Sequence, residues 1–295
     1  MRLAAIDIGS NAARLLITEV NIRNDGTPGF IKLNLVRVPL RLGFDVFDTG
    51  EITKEKIGMI LQTMRAYKHL INAYGVKYIK ACATSAMRDA RNADDIIRKV
   101  KLETGIEIEI ISGDLEATLI YENHIAETMS KDQSYLYIDV GGGSTELTFF
   151  DEGKLDIKQS FNIGTIRLLK NMVTDDHWNQ MKDFLKNKVK AGRKNIIAIG
   201  SGGNINKVFS LSKRKEGKSL NLEVLRDYHK ELSNFTIDER IEIYKLRRDR
   251  ADVIVPALLI FINVMRWVGC EEIYVPKIGL ADGLIHHLYN EVMTF

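Results

Sequence analysis

The chain has 295 residues, 45% apolar and 27% charged, with a net charge of +3 and two cysteines. That length allows two domains, the composition is that of an ordinary globular protein, and the charge is too mild to argue for nucleic acid. Cys82 and Cys270 both lie in apolar segments and form no disulfide framework, so they read as buried thiols in a reducing compartment.

The N-terminus, MRLAAIDIGSN, reaches an aspartate by residue 7 and is no signal peptide. Residues 3–8 are predicted as a strand ending near Asp7, with Gly9-Ser10-Asn11 as a turn and residues 14–20 as the returning strand. A turn at 24–29 leads to a third strand, 30–38, with Ile31, Leu33 and Leu35 on one face. Residues 41–50 read as a loop. Thr53 can cap a helix to Tyr74, whose stripe of Ile57, Ile60, Leu61, Met64, Tyr67 and Ile71 has helical spacing. Then follow a strand at 76–83, a polar stretch at 84–92, and a helix at 93–104 stopped by Gly105. A strand at 106–111 and a helix at 114–129 complete the order β-β-β-α-β-α-β-α.

From Tyr135 the same order returns. Strands are predicted at 135–140, 145–150 and 154–161, helices at 165–172 and 175–190, and a strand at 195–199. Gly200-Ser201-Gly202-Gly203-Asn204 opens another helix, and a polar insertion spans 213–218. Helices at 222–232, 237–246 and 251–267 precede a strand at 272–275 and a last helix from about residue 280. The apolar stretch 253–265 contains Pro256 and Asn263 and is too short to span a bilayer. The expectation is a soluble, cytoplasmic protein of two domains, 1–130 and 131–295, with the last helix able to pack back on the first. The duplication is one of topology rather than of sequence. Two facing halves would form a cleft with Asp7 on one wall and Asp139 on the other.

The chemistry concentrates in residues 135–150, YLYIDVGGGSTELTFF. Gly141, Gly142 and Gly143 let the backbone approach a ligand closely, with amides free to point at an anion. Asp139 and Glu146 flank them, and paired carboxylates suit a hydrated divalent cation such as Mg²⁺. The residues after the glycines read as a strand, whereas a P-loop or dinucleotide fold would open a helix there. A tight hairpin without a ligand is the plainer alternative. Asp7 is either a third metal acid or a turn acceptor. Arg14 points either into the cleft or outward. Gly200–Gly203 precede a helix, where amides favour an anion, or form a plain turn. Basic runs around Lys186, Lys213 and Arg248 are solvated faces or a track for a polyanion. No aromatic residues are interleaved as platforms for single-stranded nucleic acid, and His286-His287 reads as a surface pair.

Six segments together carry a resemblance. They are DIGSNAARLL at 7–16, TSAMRDARN at 84–92, IISGDLEA at 110–117, IDVGGGSTEL at 138–147, GSGGN at 200–204 and RADVIVPALLI at 250–260. The chain resembles the exopolyphosphatase/guanosine pentaphosphate phosphohydrolase (Ppx/GppA) family of the actin-like ATPase superfamily, in its short two-domain form. The resemblance implies an α/β fold of two ribonuclease H-like domains with an interdomain cleft. It implies Glu116 as catalytic base, Asp139 and Glu146 as metal-handling acids, and Mg²⁺ or another divalent cation as cofactor. Arg88, the turn at Ser10–Asn11 and the turn Gly141–Ser144 would contact phosphate. Three departures stand out: Leu115 replaces the first of two family glutamates, the later loop reads GSGGN, and the tail motif carries Ala281 where the family has arginine. Three functions follow as expectations: hydrolysis of inorganic polyphosphate from its end, removal of the 5′ terminal phosphate of guanosine pentaphosphate, or phosphate and nucleotide sensing with little turnover. Neither nucleic acid nor membrane is expected as a partner, and a homodimer is a further option.

Overall fold

The computed structural model describes residues 1–121, 133–152, 154–190, 195–276 and 279–294. The chain divides into two units, Met1–Asn123 with Gly279–Phe295, and His124–Ile278. Each unit is built on one mixed sheet. In the first, β1 (Arg2–Ile8), β2 (Ala13–Ile22) and β3 (Pro28–Val38) form an antiparallel meander. On the other side of β1, β4 (Tyr78–Ala83) and β5 (Ile108–Ile110) add in parallel, giving the order β3-β2-β1-β4-β5. In the second unit, β6 (Ser134–Val140), β7 (Thr145–Asp151) and β8 (Lys154–Phe161) repeat the meander. The parallel side is β9 (Ile196–Ser201) and, with the edge strand β10 (Leu220–Asn221) beyond it, β11 (Glu272–Tyr274), in the order β10-β11-β9-β6-β7-β8.

The meanders agree in register as well as in order. Asp7 faces Arg14 across the first hairpin and Asp139 faces Glu146 across the second, at offsets of 139 − 7 = 132 and 146 − 14 = 132. The ladder shifts register at Ile17/Thr18 in the first sheet and at Phe149/Phe150 in the second, again 149 − 17 = 132 residues apart. Such irregularities re-aim a strand locally, so the likeness reaches the backbone itself.

In the first unit the helix Lys54–Ala73 is capped by Thr53, which accepts the Lys56 amide, and buries Ile60, Met64, Tyr67 and Ile71. The Tyr67 hydroxyl donates to the carbonyls of Ala13 (3.0 Å) and Val36 (3.3 Å), pinning this helix to β2 and β3. The helix Leu280–Thr294 packs Leu284, Ile285 and Leu288 with Leu3, Ala5 and Leu16 of the same unit. In the second unit the core forms around the helix Ile254–Val268, which packs with Leu136, Ile138, Val140 and Phe149. Pro256 lies in its first turn, where a missing N–H leaves no hydrogen bond unmade. Among the described residues one helical run, Arg248–Val268, interrupted at Asp252–Val253, passes by length and composition as able to cross a membrane. Its apolar residues fill this core.

Four predicted elements differ. Residues 41–50 are no loop but carry the helix Leu42–Thr49, which buries Leu42, Val46 and Phe47 and ends at Gly50. Its N-terminal boundary is Arg41 in the left-handed region, with no capping side chain, so the usual start signal is missing. The polar stretch 84–92 contains a short helix, Ser85–Asp89, with Ser85, Ala86 and Met87 buried. The helix predicted over 175–190 stops at Phe184 and continues as a π turn, Leu185–Val189. The helix predicted over 251–267 is broken into Arg248–Ala251 and Ile254–Val268. Of the helix predicted over 114–129, Gly113–Tyr121 is seen, and positions 122–129 lie outside the described residues.

Candidate active site

The second hairpin carries two facing acids. Asp139 is the next-to-last residue of β6 and Glu146 the second of β7, and they are direct cross-strand partners. Their carboxylates each have an oxygen within 4.8 Å of the other. Three hydroxyls hold them in place. Ser144 Oγ (2.5 Å) and Ser160 Oγ (3.0 Å) donate to Glu146 Oε1, and Ser201 Oγ donates to Asp139 Oδ1 (2.7 Å). Two carboxylates this close repel each other unless a cation or proton lies with them. All-oxygen donors oriented by outer hydrogen bonds fit Mg²⁺, which keeps several of its waters and takes one or two carboxylates.

Between these acids the glycine turn is closed by the Gly141 amide donating to the Ser144 carbonyl (2.9 Å). The start of the helix Thr165–Leu169 holds the turn from one side. The amides of Thr165 and Ile166 donate to the carbonyls of Gly141 (3.0 Å) and Gly142 (2.8 Å). Arg167 Nε donates to the carbonyl of Gly143 (2.8 Å). Gly164 presses on the turn so closely that a Cβ would lie 2.4 Å from the Gly142 oxygen.

The first hairpin has the same frame with different chemistry. The Gly9 amide donates to the Ala12 carbonyl (3.0 Å), and the amides of Gly43 and Arg41 donate to the carbonyls of Ser10 and Asn11, both at 2.9 Å. Ser10 Oγ and Ser85 Oγ share a hydrogen bond of 2.7 Å. Asp7 is buried, and Arg14 Nη1 lies 2.5 Å from its Oδ2. Arg14, whose direction the sequence left open, therefore turns to Asp7. The facing pair is neutral in the first hairpin and doubly acidic in the second.

Glu116 occupies the first turn of the helix Gly113–Tyr121. Ser112 starts that helix, its hydroxyl accepting the Leu115 amide (3.2 Å) and its carbonyl the Glu116 amide (2.9 Å). Leu115 packs against the apolar cluster of the first unit, which accounts for an aliphatic residue there. Arg88 Nη1 donates to the Ile111 carbonyl (2.7 Å), so its guanidinium is anchored just ahead of the Glu116 helix.

The loop Gly200–Gly203 divides by role. A Cβ on Gly200 would lie 2.8 Å from Ile273 Cδ1 and 3.2 Å from Ile205 Cγ1, so this glycine makes room for packing. Gly202, with φ of 105°, brings its backbone beside Asp139, where a Cβ would lie 3.2 Å from Oδ1. Arg250 donates to the Gly203 carbonyl and reaches Asn204 Oδ1 at 3.4 Å. Sequence reasoning passed over Ser160, Gly164 and Arg167, and saw Arg250 only within a motif and a basic run. A glycine and an arginine three residues apart directly after β8 were the available signal. His286 stacks on Phe30 with ring centroids 3.9 Å apart, and His287 pairs with Glu291. Asp282 of the altered tail motif accepts the Gly279 amide and pairs with Lys32.

Residues 27–291 match the Ppx/GppA phosphatase family. The bifunctional 3-dehydroquinate synthase/phosphatase of Fusobacterium nucleatum is 31% identical over 93% of this chain, which spans 44% of that longer protein. Exopolyphosphatase 1 of Mycobacterium tuberculosis is 26% identical, over 97% of this chain and 87% of that one. Among solved structures, an exopolyphosphatase from Cytophaga hutchinsonii superposes with a TM-score of 0.83 at 26% identity, covering 99% of this chain and 98% of that one. A Ppx/GppA family member from Aquifex aeolicus gives 0.74 at 27% identity, covering 100% and 98%. With its two sheets of like topology and its acid-flanked glycine turn, the chain belongs to the Ppx/GppA phosphatase family and is a phosphatase of the actin-like ATPase fold.

Proposed function

We propose that this phosphatase is a divalent-cation-dependent exopolyphosphatase that releases the terminal phosphate of inorganic polyphosphate. The observation that carries the reading is the facing pair Asp139 and Glu146 astride a glycine turn whose carbonyls are all held from one side. Relatives named exopolyphosphatase, matched over nearly the whole chain, support the substrate class. Breaking a phosphoanhydride needs a placed water, neutralised phosphoryl oxygens and an in-line approach. In this reading Glu116 takes the proton from the attacking water, a role worth about 10²–10⁴-fold in rate. Arg88 offers a planar fork to phosphate oxygens. The turn amides at Gly142, Gly143 and Ser144 cradle an oxyanion, as do those at Ser10–Asn11 and Ser201–Gly203. Asp139 and Glu146 would hold Mg²⁺, with Asp7, whose Oδ2 is paired with Arg14, as a third acid. A bound Mg²⁺ would supply charge neutralisation at the phosphoryl oxygens. Two buried cysteines without a disulfide fit a reducing cytoplasm.

Guanosine pentaphosphate ends in the same kind of phosphoanhydride, so the same groups could serve it. Phosphate release from long polyphosphate, short polyphosphate and guanosine pentaphosphate, each with and without Mg²⁺, decides the substrate. We expect release from polyphosphate, dependent on Mg²⁺, and no turnover by Glu116→Gln, which keeps binding phosphate. Near-normal turnover by that variant rejects Glu116 as the base. Absence of release from every substrate points to a phosphate sensor.

A further inference from the structure

We propose that Gly164 and Arg167 are positioning residues that aim the amides of the glycine turn, an assignment that rests on this turn being the phosphate loop proposed above. The three carbonyls of Gly141, Gly142 and Gly143 accept, in that order, from the Thr165 amide, the Ile166 amide and Arg167 Nε. In a trans peptide the N–H of the next residue points opposite to the carbonyl, and the turn has no cis bond. Fixing these three carbonyls therefore fixes the N–H groups of Gly142, Gly143 and Ser144 toward the other side, as a set of adjacent donors. Such nests of amides bind anions when their geometry is set beforehand.

Without that hold, three consecutive glycines would sample many conformations, since glycine has the largest backbone freedom to lose. The backbone of the helix Thr165–Leu169 supplies two of the three anchors, and it can come near enough only because Gly164 has no side chain. The third anchor is a side chain, and among the described residues Arg167 provides it. The first hairpin is held in the same way at the equivalent carbonyls: Ser10 and Asn11 accept from Gly43 and Arg41 at the start of the helix Leu42–Thr49. There both donors are backbone amides. Two of the three anchors are thus repeated in the first unit, and in the second a guanidinium takes the place of a main-chain N–H.

The test compares Arg167→Ala, Arg167→Lys and Gly164→Ala with the parent protein in polyphosphate hydrolysis, inorganic phosphate binding by calorimetry, and thermal unfolding. We expect Arg167→Ala to lower kcat/KM by about 10–100-fold with an unchanged thermal midpoint. Arg167→Lys, which keeps a donor in reach of one carbonyl, recovers much of the loss. Gly164→Ala loses more, because backbone must move. Parent-like activity in both Arg167→Ala and Gly164→Ala overturns the proposal, as does a loss that follows a lowered midpoint and is not relieved by lysine. Phosphate binding separates this proposal from the assigned reaction. If the parent binds phosphate without hydrolysing any substrate, the exopolyphosphatase reading fails while weaker binding by Arg167→Ala still supports the positioning role. Equal phosphate binding by parent and Arg167→Ala, or none by the parent, overturns it.

Discussion

Arg14 and Glu146 occupy equivalent places in the two hairpins, each across the ladder from an aspartate. In the first hairpin the guanidinium neutralises Asp7. In the second, two carboxylates stand side by side and leave a local excess of negative charge for a cation to balance. In the proposed metal site the serine hydroxyls around that pair would form the outer layer, where changes commonly cost 10–100-fold in metal affinity or activity. Ser160→Ala removes one of two hydroxyls on Glu146 Oε1, so the Mg²⁺ concentration for half-maximal phosphate release should rise about tenfold. An unchanged Mg²⁺ titration would show that Ser160 does not support a metal site at Glu146. The two thiols are buried by contrast. Burial pushes Cys82 up to about 12, helped by the nearby Glu109 charge, and burial likewise pushes Cys270 up to about 12. The Cys270 thiol also donates to the Ile196 carbonyl. A thiol is nucleophilic as thiolate, so neither cysteine should react with a disulfide reagent at pH 8 until the protein is unfolded. Rapid labelling of the folded protein would contradict their burial.

Elements place these residues, and the connection after each third strand supplies hydrogen-bond donors to the hairpin turn. The helices Leu42–Thr49 and Thr165–Leu169 are short, and the first was unreadable in the sequence. Its start has no capping side chain, Gly43 interrupts its propensity, and its apolar residues span barely two turns. What stabilises it is burial of Leu42, Val46 and Phe47, a tertiary effect that no local pattern announces. The strands were legible because alternation and β-branched content carry over several residues, and the helix Lys54–Ala73 because its apolar stripe runs through five turns. That helix offers a test of how the first meander is held. Tyr67→Phe deletes the hydroxyl that joins it to Ala13 and Val36, and should cost about 0.5–1.5 kcal/mol in denaturant unfolding. A neutral result would mean that the two carbonyls find other donors at no cost.

On the scale of the whole molecule, each unit carries its own sheet and its own apolar cluster. The chain's two tryptophans, Trp178 and Trp267, both lie in the second unit with ring centroids 5.9 Å apart. Their fluorescence therefore reports on that unit. Phe261→Ala empties space in its core and should cost about 3–5 kcal/mol, moving the fluorescence transition to lower denaturant. A fixed transition would show that Phe261 is not part of the core around the tryptophans.

Residue types and spacings alone were enough to indicate every strand but the two-residue edge strand β10, the doubled three-strand meander, the two acid-bearing hairpins and the family resemblance. These are properties of short segments, where periodicity and turn chemistry act within a few residues. Tertiary structure alone decided that Arg14 turns to Asp7, that Ser160 and Ser201 reach the acids, and that Gly164 and Arg167 hold the glycine turn. Each of those contacts joins residues brought together by strand pairing or by packing, and a linear pattern carries no distance between them.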